Sequence, residues 1–204
     1  MKFIDLSHPI KYSTKTYPSD PDIEIKNEKS IKNDNSLVHS FKLGTHTGTH
    51  LDVPSHIFPD GKNLDDFDLS SFSGKAIIIR SDEPEYLDKI NQPIEGLIYN
   101  ANWYKEYNDP KIFFGKSRPI IPLNIIKFVV DNNLKFFGCD LPSVDESGTK
   151  SKPIHNSLLG NDIIIYESLN NLGQLPDNLN FNFFGVPLPF ENFDGSPVRA
   201  FAVI

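Results

Sequence analysis

Eleven consecutive residues restrict this chain more than any other part of it: His46-Thr47-Gly48-Thr49-His50-Leu51-Asp52-Val53-Pro54-Ser55-His56. The stretch holds three histidines and one carboxylate, all at even positions: 46, 50, 52 and 56. In an extended chain successive side chains alternate between faces, so these four would share one face. On a helix, 46 and 50 would align while 52 and 56 would swing away. Thr47, Thr49 and Val53, together with Gly48 and Pro54, also disfavour a helix. The stretch therefore predicts an extended segment, bent at Gly48 and Pro54, that presents three imidazoles and a carboxylate to one place. Imidazole and carboxylate are the ligands of catalytic zinc and of similar divalent metals. The plain alternative, a polar loop with scattered histidines, leaves the shared parity without a reason.

At 204 residues, the expectation is one domain spanning 1–204, long enough to bury a substantial core. A hydrophobic content of 38% and a charged content of 23% are ordinary for a soluble globular protein. The net charge of −7 argues against a nucleic-acid partner. The single cysteine, Cys139, cannot form an intrachain disulfide, so nothing points to an oxidising compartment. It follows Phe136-Phe137-Gly138 and is expected to pack as a small buried hydrophobe. The first residues meet Asp5 before any apolar signal region. No apolar run approaches the roughly 18–20 residues of a membrane span. The expected location is cytoplasmic, with no membrane partner.

Short strands are expected at 3–10, 22–27 and 36–43, the last leading into the histidine stretch. The run Gly74–Ile79 reads as a buried strand, and Leu97–Tyr99, Leu134–Cys139 and Ile163–Tyr166 read as further strands. Pro84 to Asn91 reads as a short helix with proline in its first turn. Pro122 to Asn133 is the strongest helix: proline suits its start, apolar residues fall at 125, 126, 129 and 130, and Asn133 suits a left-handed stop. Strand–helix–strand rhythm mixed with antiparallel signals predicts an α+β fold, a mixed sheet or barrel-like core with few helices. His8 and His39 are expected to be structural.

The stretch 46–56 reads HxGTHxDxPxH, which resembles the signature of the metal-dependent cyclase-like hydrolase family, whose members include bacterial kynurenine formamidases and isatin hydrolases. Asp5-Leu6-Ser7, the Asp140-Leu141-Pro142-Ser143-Val144-Asp145 loop and the closing segment Asp194-Gly195-Ser196-Pro197-Val198-Arg199-Ala200 also resemble family segments. The resemblance thus runs from about residue 3 to 204. On residues alone, His155 and Glu167 read as a surface histidine and a strand-end glutamate. The resemblance implies instead that they ligate a second metal. One ion would be held by His46, His50 and Asp52, the other by Asp52, His155 and Glu167, with Asp52 shared. His56 would stay free of metal as the catalytic acid/base.

The family's loop at Tyr17-Pro18-Ser19-Asp20 implies that Tyr17 supplies an aromatic wall for the substrate, in place of the family's tryptophan. Phe58, close to His56, is a second candidate for that wall. The resemblance implies arylformamidase activity, hydrolysis of N-formyl-L-kynurenine to L-kynurenine and formate, in a homodimer carrying two zinc ions per chain, with manganese as the alternative. One rival is a relative that opens a cyclic amide or lactone. The other, of a different class, is a non-catalytic protein that binds metal or a ligand; an unmetallated acid/base such as His56 would have no use there.

Overall fold

The computed structural model describes residues 1–81, 84–90, 92–177 and 179–204. Its strands, in chain order, are β1 (Phe3–Asp5), β2 (Glu24–Lys29), β3 (Val38–Lys42), β4 (His50–Asp52), β5 (Ser73–Arg80), β6 (Gly96–Asn100), β7 (Phe136–Cys139), β8 (Ile164–Glu167), β9 (Phe181–Phe184), β10 (Gly195–Pro197) and β11 (Phe201–Val203). Nine of them form one mixed, curled sheet in the order β1-β11-β9-β5-β6-β7-β8-β4-β10. β5 through β8 run parallel to one another, and the outer neighbours pair antiparallel. β2 and β3 form a separate antiparallel hairpin on the surface. With few helices beside this sheet, the fold is the α+β arrangement that the sequence predicts.

The parallel strands are near-continuous apolar runs because both of their faces are buried. Alternation divides their side chains between two cores. Ile78, Ile98, Phe136, Ile164 and Tyr166 face one core, which is shared with Leu51 and Val53. Ile79, Leu97, Tyr99, Phe137, Cys139 and Ile165 face the other. The second core is covered by the helices Leu123–Asp131 and Pro153–Leu159. Ile125, Ile126 and Val129 form the buried stripe of the first helix, and Asn133 at φ 53 ends it. Pro122 sits one position earlier than expected, at the cap, with extended backbone. At 84–91 the structure has a 3-10 turn, Pro84–Lys89, in place of an α-helix, and Asn91 lies outside the described residues.

The stretch 46–56 is not one extended strand. Only His50–Asp52 is β-structure; His46 lies in a preceding turn and His56 ends the 3-10 turn Pro54–His56. Gly48 at φ +66 and Pro54 at the start of that turn make the two bends. Cys139 is fully buried and burial pushes its thiol up, as befits a packing residue. Among the described residues no helix is long and apolar enough to cross a membrane.

Close packing of the sheet against the first core shows at Gly96, where an added Cβ would fall 2.0 Å from Phe136 Cε2. Phe136 is fully buried between neighbours and has nowhere to go. Gly96→Ala is expected to destabilise the protein by about 1–3 kcal/mol. A urea midpoint equal to that of the wild type would refute this.

Candidate metal centre and active site

The strand register builds the site. β4 lies between β8 and β10, with His50 opposite Glu167 on one side and Pro197 on the other. Directly opposed residues on an antiparallel pair share a face. His50 and Asp52, two apart, also share that face, while Leu51 is buried in the first core on the opposite side. His50, Asp52 and Glu167 therefore converge on the helix-covered side, at the carboxyl end of β8. The third residue of the helix Pro153–Leu159 brings His155 over the same point. All four side chains are buried.

Their ligand atoms lie at a common spacing. His50 Nε2 is 3.4 Å from Asp52 Oδ1 and 3.5 Å from Glu167 Oε2. His155 Nε2 is 3.5 Å from Asp52 Oδ2 and 3.6 Å from Glu167 Oε1. Two ligands about 2.1 Å from one tetrahedral ion stand about 3.4 Å apart, so this spacing suits a shared cation. Asp52 Oδ2 is buried and has no hydrogen-bond partner, an acceptor left for something other than the protein. His50 Nδ1 lies 2.8 Å from the Gly48 carbonyl, which can only accept, so Nδ1 donates there and Nε2 is the nitrogen turned toward the carboxylates. The residues present fit a divalent metal.

Loops hold these ligands in place. Glu167 Oε1 accepts the Val144 backbone N–H at 2.7 Å. Asp145 accepts the Ile154 N–H at 2.8 Å, and its other oxygen lies 2.6 Å from His155 Nδ1. One carboxylate thus caps a helix and aims the ring carried by that helix. Burial opposes charging His155, but its hydrogen bond to Asp145 and the nearby carboxylates of Asp52 and Glu167 raise it to about 9. Burial likewise opposes Asp145, whose hydrogen bonds from His155 and Ile154 hold it low. Farther out, Asp140 accepts three backbone N–H groups, from Ala101, Trp103 and Tyr104. Burial still pushes its carboxyl up to about 6.

The remaining two histidines of the stretch form a second group. His46 Nδ1 is 2.7 Å from Asp52 Oδ1 and its Nε2 is 2.8 Å from Asp194 Oδ2. With an acceptor at each nitrogen the ring is doubly protonated: burial opposes the charge, but Asp52 and Asp194 raise it to about 10. Hydrogen bonds from His46 and His56 hold Asp194 far below the carboxylate range. His56 Nδ1 faces Asp194 at 3.4 Å, and Lys152 Nζ stands 3.1 Å from His56 Nε2. An ammonium can only donate, so His56 Nε2 is the accepting nitrogen and its proton belongs on Nδ1. The ligand-type atoms thus gather around Asp52, which stands within 3.5 Å of His46, His50 and His155. Among the described residues His50–Asp52–Glu167 and His46–Asp52–His56 form close sets, with Asp52 common to both. The turn at Gly48 leaves His46 in reach of Asp194 as well.

A cavity of about 330 Å³ opens over the cluster. Tyr17 lines it and packs edge-on against Phe114, ring centroids 5.7 Å apart. Phe58 is a correction to the sequence reading: it packs on the helix-covered core, near Gly160, and is not part of the cavity wall. The turn after His56 directs its ring inward. His8, as expected, is structural. It stacks on Tyr107 at 3.6 Å, and burial lowers it to about 4. His39 lies exposed on β3. Arg199 pairs with Asp5 at the surface. Asp194, Lys152 and Arg118 were given no role from the sequence, and neither was Asp145. None of the four carried a signal of that role in the sequence.

The "Putative cyclase" family model matches residues 4–146 of the chain. The kynurenine formamidase of Bacillus mycoides is 29% identical over 206 aligned residues, covering 98% of this chain and 96% of that protein. Isatin hydrolase A from Labrenzia aggregata, solved with benzyl benzoate bound, has a TM-score of 0.85 at 20% identity, covering 98% of this chain and 93% of that one. A solved potential metal-dependent hydrolase with cyclase activity has a TM-score of 0.78 at 18% identity, covering 98% and 96%. The chain belongs to this putative cyclase family.

The grip of Asp145 on His155 generates a prediction. Asp145→Asn removes the charged acceptor that orients the ring, and affinity for a divalent metal is expected to fall about 10–100-fold. Competition against a chelator of known affinity measures it. An unchanged affinity would show that His155 needs no such orientation.

Proposed function

We propose that this protein is a metal-dependent hydrolase of carbon–nitrogen amide bonds, and that its reaction is the arylformamidase reaction, hydrolysis of N-formyl-L-kynurenine to L-kynurenine and formate. One observation carries the reading. Four buried ligand-type side chains, His50, Asp52, His155 and Glu167, converge beneath a cavity whose wall holds an imidazole, His56, tethered at both nitrogens. The near full-length likeness to a kynurenine formamidase supports the choice of reaction. Divalent ions, two zinc ions per chain or manganese in their place, are the proposed cofactor. Bound there, such an ion supplies Lewis-acid activation of water and of the substrate carbonyl.

The chain's own residues do the rest. His50, Asp52, His155 and Glu167 are the proposed core of the ligand set, with His46 at its edge. His56 is the proposed acid/base, moving a proton through Nε2 to the departing nitrogen. Asp194 faces Nδ1 of the same ring and steadies its orientation. Burial of the cluster beneath Tyr17 and the Pro142–Ser143 wall limits bulk water and strengthens each electrostatic contact. Tyr17 offers its ring to an aryl substrate. The lactam-opening alternative draws its support from fold likeness to isatin hydrolase A.

Two measurements test this reading. His56→Ala is expected to keep its metal and lose about 10²–10⁴-fold in turnover. Near wild-type turnover would remove His56 from the reaction. Formate release from N-formyl-L-kynurenine at micromolar concentration is expected of the wild type. Turnover confined to cyclic amides would move the assignment to lactam opening.

A further inference from the structure

Three cationic side chains, Arg118, Lys150 and Lys152, border the same cavity. Among the described residues, none of the three takes part in an ion pair. Arg118 is the unusual one, because it is only 5% exposed. Its Nη2 donates to the backbone carbonyl of Asp145 at 2.6 Å, and its Nη1 is buried with no partner. A guanidinium stays charged at any working pH and presents a planar fork of donors. Buried without a counter-charge, such a group is costly unless something else supplies the anion.

Lys152 brings a second, independent observation. It holds left-handed backbone, φ 43 and ψ 56, immediately before Pro153, where extended backbone is favoured. Non-glycine residues kept in that region cluster at functional sites. The conformation leaves its ammonium 3.1 Å from His56 Nε2, beside the position a reacting amide must take. Both cations are tied to one wall, since the Asp145 that holds Arg118 by its carbonyl also caps the helix that Lys152 precedes. Asp20 and Glu146 border the cavity too, yet neither pairs with these cations.

We propose that Arg118 and Lys152 form an anion subsite that takes a carboxylate of the substrate, so that this site acts on carboxylate-bearing amides in preference to neutral ones. The inference rests on the amide-hydrolase reading and narrows its substrate class. A carboxylate seated against Arg118 would give the buried Nη1 the acceptor it lacks, and Lys152 adds a point charge from the cavity side. An amino-acid amide such as N-formyl-kynurenine carries this group, whereas a neutral lactam does not.

The test compares two fluorescent probes on the metal-loaded protein: anthranilate, which has the carboxylate, and 2-aminobenzamide, its neutral counterpart. The wild type is expected to bind anthranilate about tenfold or more tightly than the amide. Lys152→Met and Arg118→Gln are each expected to cut that preference about tenfold and leave 2-aminobenzamide affinity unchanged, while Lys152→Arg retains it. Equal affinity of the wild type for both probes overturns the proposal. So does a preference that survives in the variants, which would make the metal the anchor. A thermal melt checks each variant, and if Arg118→Gln does not fold, Lys152→Met alone decides. Binding is read without turnover, so a carboxylate preference in a protein that hydrolyses no amide would sink the hydrolase reading and leave the subsite standing.

Discussion

Everything at the centre depends on how β4 sits between β8 and β10. The pairing of His50 with Glu167 places imidazole and carboxylate side by side on the helix-covered face. A slip of one residue would send His50 and Asp52 into the opposite core and bring Leu51 to the site. Leu51 and Val53 prevent this. Both are fully buried among apolar neighbours, and each contributes about 1.5–3 kcal/mol to staying there. The polar cluster is held in register by its apolar neighbours in sequence.

Charge is arranged around this frame with little slack. Four carboxylates, those of Asp52, Asp145, Glu167 and Asp194, contact four imidazoles, of His46, His50, His56 and His155. Burial alone would favour neutral forms throughout, yet His46 and His155 are lifted and Asp52 and Asp194 are lowered. The carboxylates demand positive charge inside the cluster. Protons and divalent cations therefore compete for the same nitrogens, which makes metal affinity depend on pH.

Parts of this were readable in residue order. Alternation correctly put His50 and Asp52 on one face, because a strand has period two. It failed for His46 and His56, because Gly48 and Pro54 end the strand on either side and turns deliver those rings from other directions. The four apolar runs announced strands, though not that they run parallel, and the 122–133 periodicity announced the helix. Asp194 was illegible as a partner of His46, since the two are 148 positions apart and meet only through the β4–β10 pairing. Arg118 and Lys152 have ordinary neighbours in sequence, and only burial and backbone conformation set them apart. Phe58 looked like a wall residue from its nearness to His56, and the turn between them sent its ring to the core.

The loop after Asp145 separates two kinds of constraint. Val144 and Asp145 are pinned by Glu167 and His155, so that end of the segment cannot drift without disturbing the ligands. Glu146, Thr149 and Lys150, a few residues on, border the cavity, and among the described residues no side-chain hydrogen bond or ion pair ties them to the ligands. Descendants of this chain could exchange, lengthen or shorten that rim and thereby change which molecules enter, with the chemistry beneath inherited intact.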